Sequence, residues 1–346
     1  MTDATLPVED LKMLELSHVV AGPYAGQLLA DLGADIVKVE HPEHGDYMRS
    51  SGDAGRAIFI ALNRGKRSVG LDLKTDADRE AFRSLVEKAD VVVENYGPGV
   101  MESLDLAPAD LRDANPELVY LSIKGFDVDG PYSDQVATDP IFQAMSGLMS
   151  ITGHADSPPA RAGASVVDVT TALNGVIATM LALWRRSETG EGDHVTVPMF
   201  RSSVSLMGYW LVYAQLYDRN PQRRGASNPL YAPYDVYPTA DGYAFVGAAS
   251  DGHWESIRDV LDVELEYDGI EDRLENRNAI DDAIVAATES RMTDRVLTEL
   301  LEAGVPAAPV NEIDDVVTDE HLKAVDAFAT IDAAEKTNVR VPATVP

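Results

Sequence analysis

Asp168 stands out among the 58 acidic residues of this 346-residue chain because of its neighbours. The small residues Ala162, Gly163, Ala164 and Ser165 lead up to it, after Arg161. Behind it Ala172, Leu173, Val176, Ile177, Met180, Leu181 and Trp184 recur at intervals of three and four, the spacing of one helical face. That spacing predicts a helix running to Arg186 and puts Asp168 at its start. Asp is a favoured N-cap, accepting the first free backbone N–H groups. At the positive end of a helix the dipole also favours its charged form. An ionised carboxylate in a space kept open by small side chains can act as a covalent nucleophile, splitting a hard acyl transfer into two easier steps. The cap and the nucleophile are compatible readings.

A second group of interest is cationic. Arg64, Lys66 and Arg67 fall within the stretch Asn63-Arg-Gly-Lys-Arg-Ser68, and Lys74 follows closely. A solvated turn between strands explains such a cluster. A site for a polyanion explains it as well, since Lys and Arg contact phosphates and this chain has few cations to spare. Metal chemistry is not expected. There is no cysteine, and His18, His44, His154, His194 and His321 show no H-x-x-x-H spacing. Met145 and Met149 read as core.

The elements that must hold these groups alternate strand and helix. Residues 11–16 and 35–40 read as strands around a helix at 24–32, with a loop over 41–57. A helix at 76–88 and strands at 90–94 and 118–123 follow, then helices at 140–151 and 199–217. This is the pattern of a doubly wound α/β sheet, in which ligands sit beyond the carboxyl ends of the strands. Ala21-Gly22-Pro23-Tyr24-Ala25-Gly26 lacks the G-x-G-x-x-G spacing, which argues against nicotinamide. Farther on, strands at 234–237 and 243–246 flank an Asp241-Gly242 turn, and helices are expected at 252–261, 279–289 and 293–303. His253 and Trp254 belong to a face of that smaller part. The fold class is therefore α/β: a Rossmann-like large domain over 1–217, a linker over 218–232 and a small α+β domain over 233–312. Residues 313–346 are expected to return towards the large domain.

The net charge is −30, spread along the whole chain instead of forming a tail. At molar salt the screening length falls to about 3 Å, which makes such self-repulsion tolerable. A salt-accumulating microbe, in particular a halophilic archaeon, is the expected source. Nucleic acid is disfavoured as a partner. No apolar run is read as membrane-spanning, no signal peptide is recognised, and a cytoplasmic location is expected.

Several ordered blocks then carry a resemblance: His18-Val-Val-Ala-Gly-Pro23, Ile36-Val-Lys-Val-Glu40, Asn63-x-x-Lys66-Arg67-Ser68, Leu71-Asp-Leu-Lys74, Val92-Val-Glu-Asn-Tyr-Gly-Pro-Gly99, Lys124-Gly125-Phe126, Val167-Asp168 and Thr189-Gly-Glu-Gly192. Over residues 6 to about 310 the chain resembles the family III CoA-transferases, the CaiB/BaiF family of formyl-CoA and carnitine CoA-transferases. The resemblance implies that Asp168 is the acyl-accepting nucleophile and that coenzyme A is a substrate, with no metal, nicotinamide or flavin. It places CoA contacts at Val19, Val20, Ala21, Leu71, Lys74, Asn95, Tyr96 and Met199. It also implies an acyl loop at Gly225, Ala226, Ser227 and Asn228, whose N–H groups would stabilise an oxyanion, and an interlocked homodimer. A dicarboxylate such as mesaconate or succinate is the expected acid by family analogy.

The same family contains α-methylacyl-CoA racemases. Here Thr138 and Ser250 stand where those enzymes carry proton-transfer residues, which argues against racemisation. A non-catalytic CoA-binding subunit would need a damaged nucleophile, and Asp168 is intact. His41 and Ser103 replace arginines that hold CoA phosphates in some members. The family's usual Leu-Gly-Glu-His-Thr segment is not found before Pro346, so a shortened C-terminal part is expected.

Overall fold

Runs of aliphatic residues bounded by turns form six parallel strands: β1 (Lys12–Leu16), β2 (Asp35–Glu40), β3 (Arg67–Gly70), β4 (Val91–Glu94), β5 (Val119–Lys124) and β6 (His194–Pro198). The computed structural model describes residues 6–267, 269–333 and 336–343. The strands order as β3-β2-β1-β4-β5-β6, the doubly wound arrangement whose direction of winding reverses between β1 and β4. Their side chains alternate between two buried layers, as the period-two geometry of a strand requires. Met13, Val91 and Val93 join one layer, while Leu14, Val92 and Tyr120 join the other.

Ten helices cover this sheet or connect its strands: α1 (Ala21–Asp31), α2 (Gly52–Asn63), α3 (Asp76–Val86), α4 (Val100–Ser103), α5 (Pro108–Ala114), α6 (Asp139–Met145), α7 (Leu148–Ile151), α8 (Val166–Thr189), α9 (Met199–Leu206) and α10 (Gly208–Tyr217). Residues of α1 and α8 enter the first layer and residues of α3 and α5 the second. Helix α2 and a 3-10 turn at Tyr47–Ser50 occupy much of the stretch expected to be a loop. The Gly and Ser residues that suggested irregular chain are used at the helix start, where Gly52 takes a left-handed φ of 70°. The expected single helix over 140–151 is broken at Gly147 (φ 89°), and that over 199–217 at Met207. Met145 is exposed, so it does not belong to the core as expected.

Helix α8 corrects one further expectation, that no apolar run reaches membrane-spanning length. Beyond its first turns the buried residues are small ones, Ala172, Gly175, Thr179 and Ala182, and they let the helix lie close on the sheet. A Cβ on Gly175 would come within 3.2 Å of Leu121 Cδ2. The larger apolar residues point outward: Leu173, Ile177, Leu181 and Trp184 are 44–67% exposed. The helix is also long and apolar enough, by length and composition alone, to span a membrane. Core helices of soluble proteins meet the same criterion, and α8 packs along a sheet.

The chain divides into two compact units. The first comprises Met1–Met149, Arg161–Arg219 and Lys323–Pro346, and the second Ser150–Ala160 and Asn220–Leu322. The second contains an antiparallel sheet of β7 (Tyr234–Pro238), β8 (Tyr243–Gly247) and β9 (Ala307–Pro309). Helices α11 (Asp251–Leu261), α12 (Gly269–Glu275), α13 (Arg277–Thr288) and α14 (Thr293–Glu302) accompany it. Trp254, Ile257, Ile280, Ile284 and Leu300 form their shared core.

Candidate active site

The winding direction reverses between β1 and β4, the place beyond whose carboxyl ends doubly wound sheets bind ligands, and the two strand ends are tied together there. The Asn95 side chain accepts from His18 N at 3.0 Å and donates to His18 O at 2.8 Å. Lys38, buried on β2, donates to Ser17 O at 2.5 Å and pairs with Glu15 at 3.1 Å and Asp46 at 3.0 Å. Between these anchors Val19 is held at a φ of 66°. That region is unusual for a β-branched residue and costs on the order of 1–3 kcal/mol. The chain then enters α1 directly. No acceptor among the described residues takes the N–H groups of Val20, Ala21 or Gly22. Free amides at a helix N-terminus make this edge of the sheet suited to an anionic group.

The expected CoA contacts all lie at this edge of the sheet. Val19, Val20 and Ala21 follow β1, Leu71 and Lys74 follow β3, Asn95 and Tyr96 follow β4, and Met199 follows β6. Lys74 is exposed, while Val20, Ala21 and Met199 are buried. The His18 ring sits between Tyr47 and Tyr96, with centroids 5.5 Å and 5.3 Å away. Burial holds its imidazole below the ordinary histidine range and so keeps it neutral at pH 7. Burial, reinforced by Glu94, pushes the Tyr96 phenol up to about 12.

The cationic cluster beside this edge proves structural. Arg64 pairs with Asp31 at 2.5 Å and Arg67 with Asp35 at 2.5 Å. Lys66 is buried against Glu15 at 2.6 Å and also donates to Pro23 O at 2.8 Å. Burial pulls it down to about 8 against the attraction of Glu15. All three cations therefore pair with carboxylates of this chain, Lys66 in the interior and Arg67 at the exposed surface.

Asp168 is 9% exposed, in the first turn of α8, but it is not the N-cap. Ser165 holds that position and makes no side-chain cap bond. The amides are taken instead by Asp139 of α6, whose Oδ2 accepts from Val167 N at 2.8 Å and Asp168 N at 3.1 Å. Gln143 donates to the other Asp139 oxygen at 2.5 Å and accepts from Ala162 N at 2.9 Å, which fixes the approach to α8. The Asp168 carboxylate accepts no hydrogen bond and pairs with no cation among the described residues. Its expected stabilisation by the helix dipole is outweighed. Burial and then the Asp139 charge push its carboxyl up to about 7. Tyr47 is close enough for that charge to help raise its phenol. Asp139, Gln143 and Tyr47 were not singled out from the sequence. A signal existed in Thr138-Asp139-Pro140, an acid one residue ahead of a helix-starting proline.

The expected acyl loop lies in the second unit and is internally tied. Gly225 N donates to Gly153 O at 2.9 Å, Ser227 N to Arg224 O at 3.1 Å and Asn228 N to Tyr234 O at 3.2 Å. Three of its four N–H groups are thus bonded within the second unit. Arg277 of α13 holds the loop by donating to Asn228 O at 2.5 Å and to Ser227 Oγ and Tyr231 O. Ser250 is similarly occupied, capping α11 by accepting from His253 N at 3.2 Å. No group of three or more potential metal ligands occurs among the described residues.

Residues 8–346 match the family model described as CoA-transferase family III. A succinyl-CoA:mesaconate CoA-transferase of Haloarcula marismortui is 41% identical over 340 residues, 94% of this chain and 85% of that protein. A succinate–glutarate CoA-transferase of Agrobacterium fabrum is 34% identical, covering 97% of this chain and 88% of its own length. Among solved structures, a CaiB/BaiF family protein from Brucella suis superposes with a TM-score of 0.89 at 34% identity, covering 98% of this chain and 96% of that one.

Proposed function

The chain belongs to the family III CoA-transferases, which move CoA between an acyl-CoA thioester and a carboxylic acid, and we propose that it does so on Asp168. The observation that carries this reading is a buried carboxylate with no hydrogen-bond or ion-pair partner among the described residues, at the carboxyl edge of a doubly wound sheet. Asp168 attacks the donor thioester carbonyl, forming a mixed anhydride and releasing CoA thiolate. The thiolate attacks the aspartyl carbonyl of that anhydride, giving an aspartyl-CoA thioester and the free donor acid. The acceptor carboxylate attacks this thioester, again forming an anhydride and thiolate, and the thiolate takes the acceptor acyl group. Asp168 emerges as carboxylate, and no proton is gained or lost. Each step exchanges one activated acyl bond for another, so no external energy source is required.

Only the ionised form of Asp168 attacks. A carboxylate poorly solvated by its surroundings is also more nucleophilic than one held by donors. The free amides of Val20, Ala21 and Gly22 suit an anionic part of CoA. Succinyl-CoA as donor and mesaconate as acceptor are suggested by the relatives named above. A homodimer is supported by the apolar side chains left uncovered on α8 and on α10, where Tyr209, Val212, Leu216 and Tyr217 are exposed. In this reading the chain is cytoplasmic and salt-adapted, and residues 1–217 bind CoA while 233–312 form the small domain.

The test is Asp168→Ala assayed with succinyl-CoA and a panel of dicarboxylates. Transfer is lost, while CoA still binds by calorimetry. Retention of wild-type turnover would reject the nucleophile.

A further inference from the structure

The first turn of α8 has a capping sequence that it does not use. Ser165-Val166-Val167-Asp168 fits the pattern in which a serine accepts the amide three residues on while the acid there reaches back to the serine's own N–H. That local bond would tie down the Asp168 carboxylate. In the structure Ser165 makes no side-chain cap bond, and the Val167 and Asp168 amides go to Asp139, 28 and 29 residues earlier. Asp139 is 4% exposed and is itself steadied by Gln143, so the replacement cap is rigid.

We propose that Asp139 is a positioning residue for the transfer reaction, capping α8 from outside so that the Asp168 carboxylate stays unbonded. The inference rests on Asp168 being the nucleophile. A second consequence is electrostatic. The groups whose charge is coupled to Asp168 are Asp139 of α6 and Tyr47 of the 3-10 turn. Asp139 therefore keeps Asp168 both free and reluctant to ionise, and sets the pH at which it becomes reactive.

The experiment follows acylation of Asp168 by succinyl-CoA as a function of pH, trapping with hydroxylamine and reading the Asp168 peptide by mass spectrometry. Two variants are compared with the wild type. In Asp139→Ala the amides are released and Asp168 can fall back on the local cap. Its plateau rate drops roughly 10- to 100-fold, the usual cost of a small misplacement of a reacting group, while CoA affinity is unchanged. In Asp139→Asn an acceptor remains but the charge is gone. Its acidic limb moves to lower pH by on the order of one unit, a shift that loss of structure alone does not produce. A limb that stays at the wild-type pH in Asp139→Asn overturns the proposal. Absence of label on Asp168 in the wild type strikes instead at the nucleophile assignment.

Discussion

Replacing Asp168 with Asn should make the folded protein more stable while removing its activity, and the gain should depend on pH. Burial and Asp139 lift the Asp168 carboxyl from 3.8 to about 7. Between those two values the folded state keeps a proton that the unfolded chain releases, so this group lowers stability as pH rises through the window. Above about pH 7 the deficit is complete and constant. A shift of about three units corresponds to roughly 4 kcal/mol at 1.36 kcal/mol per unit, an upper bound that relaxation around the site reduces to about 2–4 kcal/mol. Asparagine keeps the shape without the charge and so recovers this amount at pH 8. At about 2 °C per kcal/mol for a chain of this size, the melting temperature should rise by about 4–8 °C. Near pH 5 the wild-type deficit is only partly developed, and less than half of the gain remains. Thermal melts of both proteins in high salt at pH 8 and pH 5 make the comparison. No gain at pH 8, or an equal gain at both values, would refute a desolvated, charge-opposed Asp168.

Other expectations follow from packing and charge. Glu15→Gln leaves Lys38 and Lys66 buried with one fewer carboxylate, and urea unfolding should show a loss of about 3–5 kcal/mol. Gly192→Ala places a Cβ 2.0 Å from Leu118 O, so the turn before β6 must move; a lower melting temperature and reduced soluble yield are expected. Trp184→Glu combined with Tyr209→Glu charges two apolar faces that are open in the single chain, and light scattering should report a smaller species than the wild type. With a net charge of −30, stability should rise steeply between 0.1 M and 2 M salt, as melts across that series would show.

Strand positions were readable because runs such as Val91-Val92-Val93 are apolar on both faces, as a covered parallel sheet demands. On α8, periodicity reports an apolar stripe without saying what covers it. The stripe of small residues that lies on the sheet carries a weaker hydrophobic signal. The cap on α8 was misassigned for a similar reason. Local sequence offers Ser165 and Asp168, and only the fold brings Asp139 to the same amides. Arg64, Lys66 and Arg67 looked available for a ligand because their partners Asp31, Glu15 and Asp35 are distant in sequence. Likewise, nothing in Gly225-Ala-Ser-Asn228 announces that most of its amides are already bonded.

The central claim is that Asp168 carries the substrate covalently during turnover. The direct measurement is acid quenching of the wild-type protein during reaction with succinyl-CoA, followed by digestion and mass spectrometry of every acidic peptide. A CoA adduct confined to the peptide containing Asp168, absent from Asp168→Asn, is the predicted result. An adduct on another residue, or turnover with no adduct at any time, would contradict it.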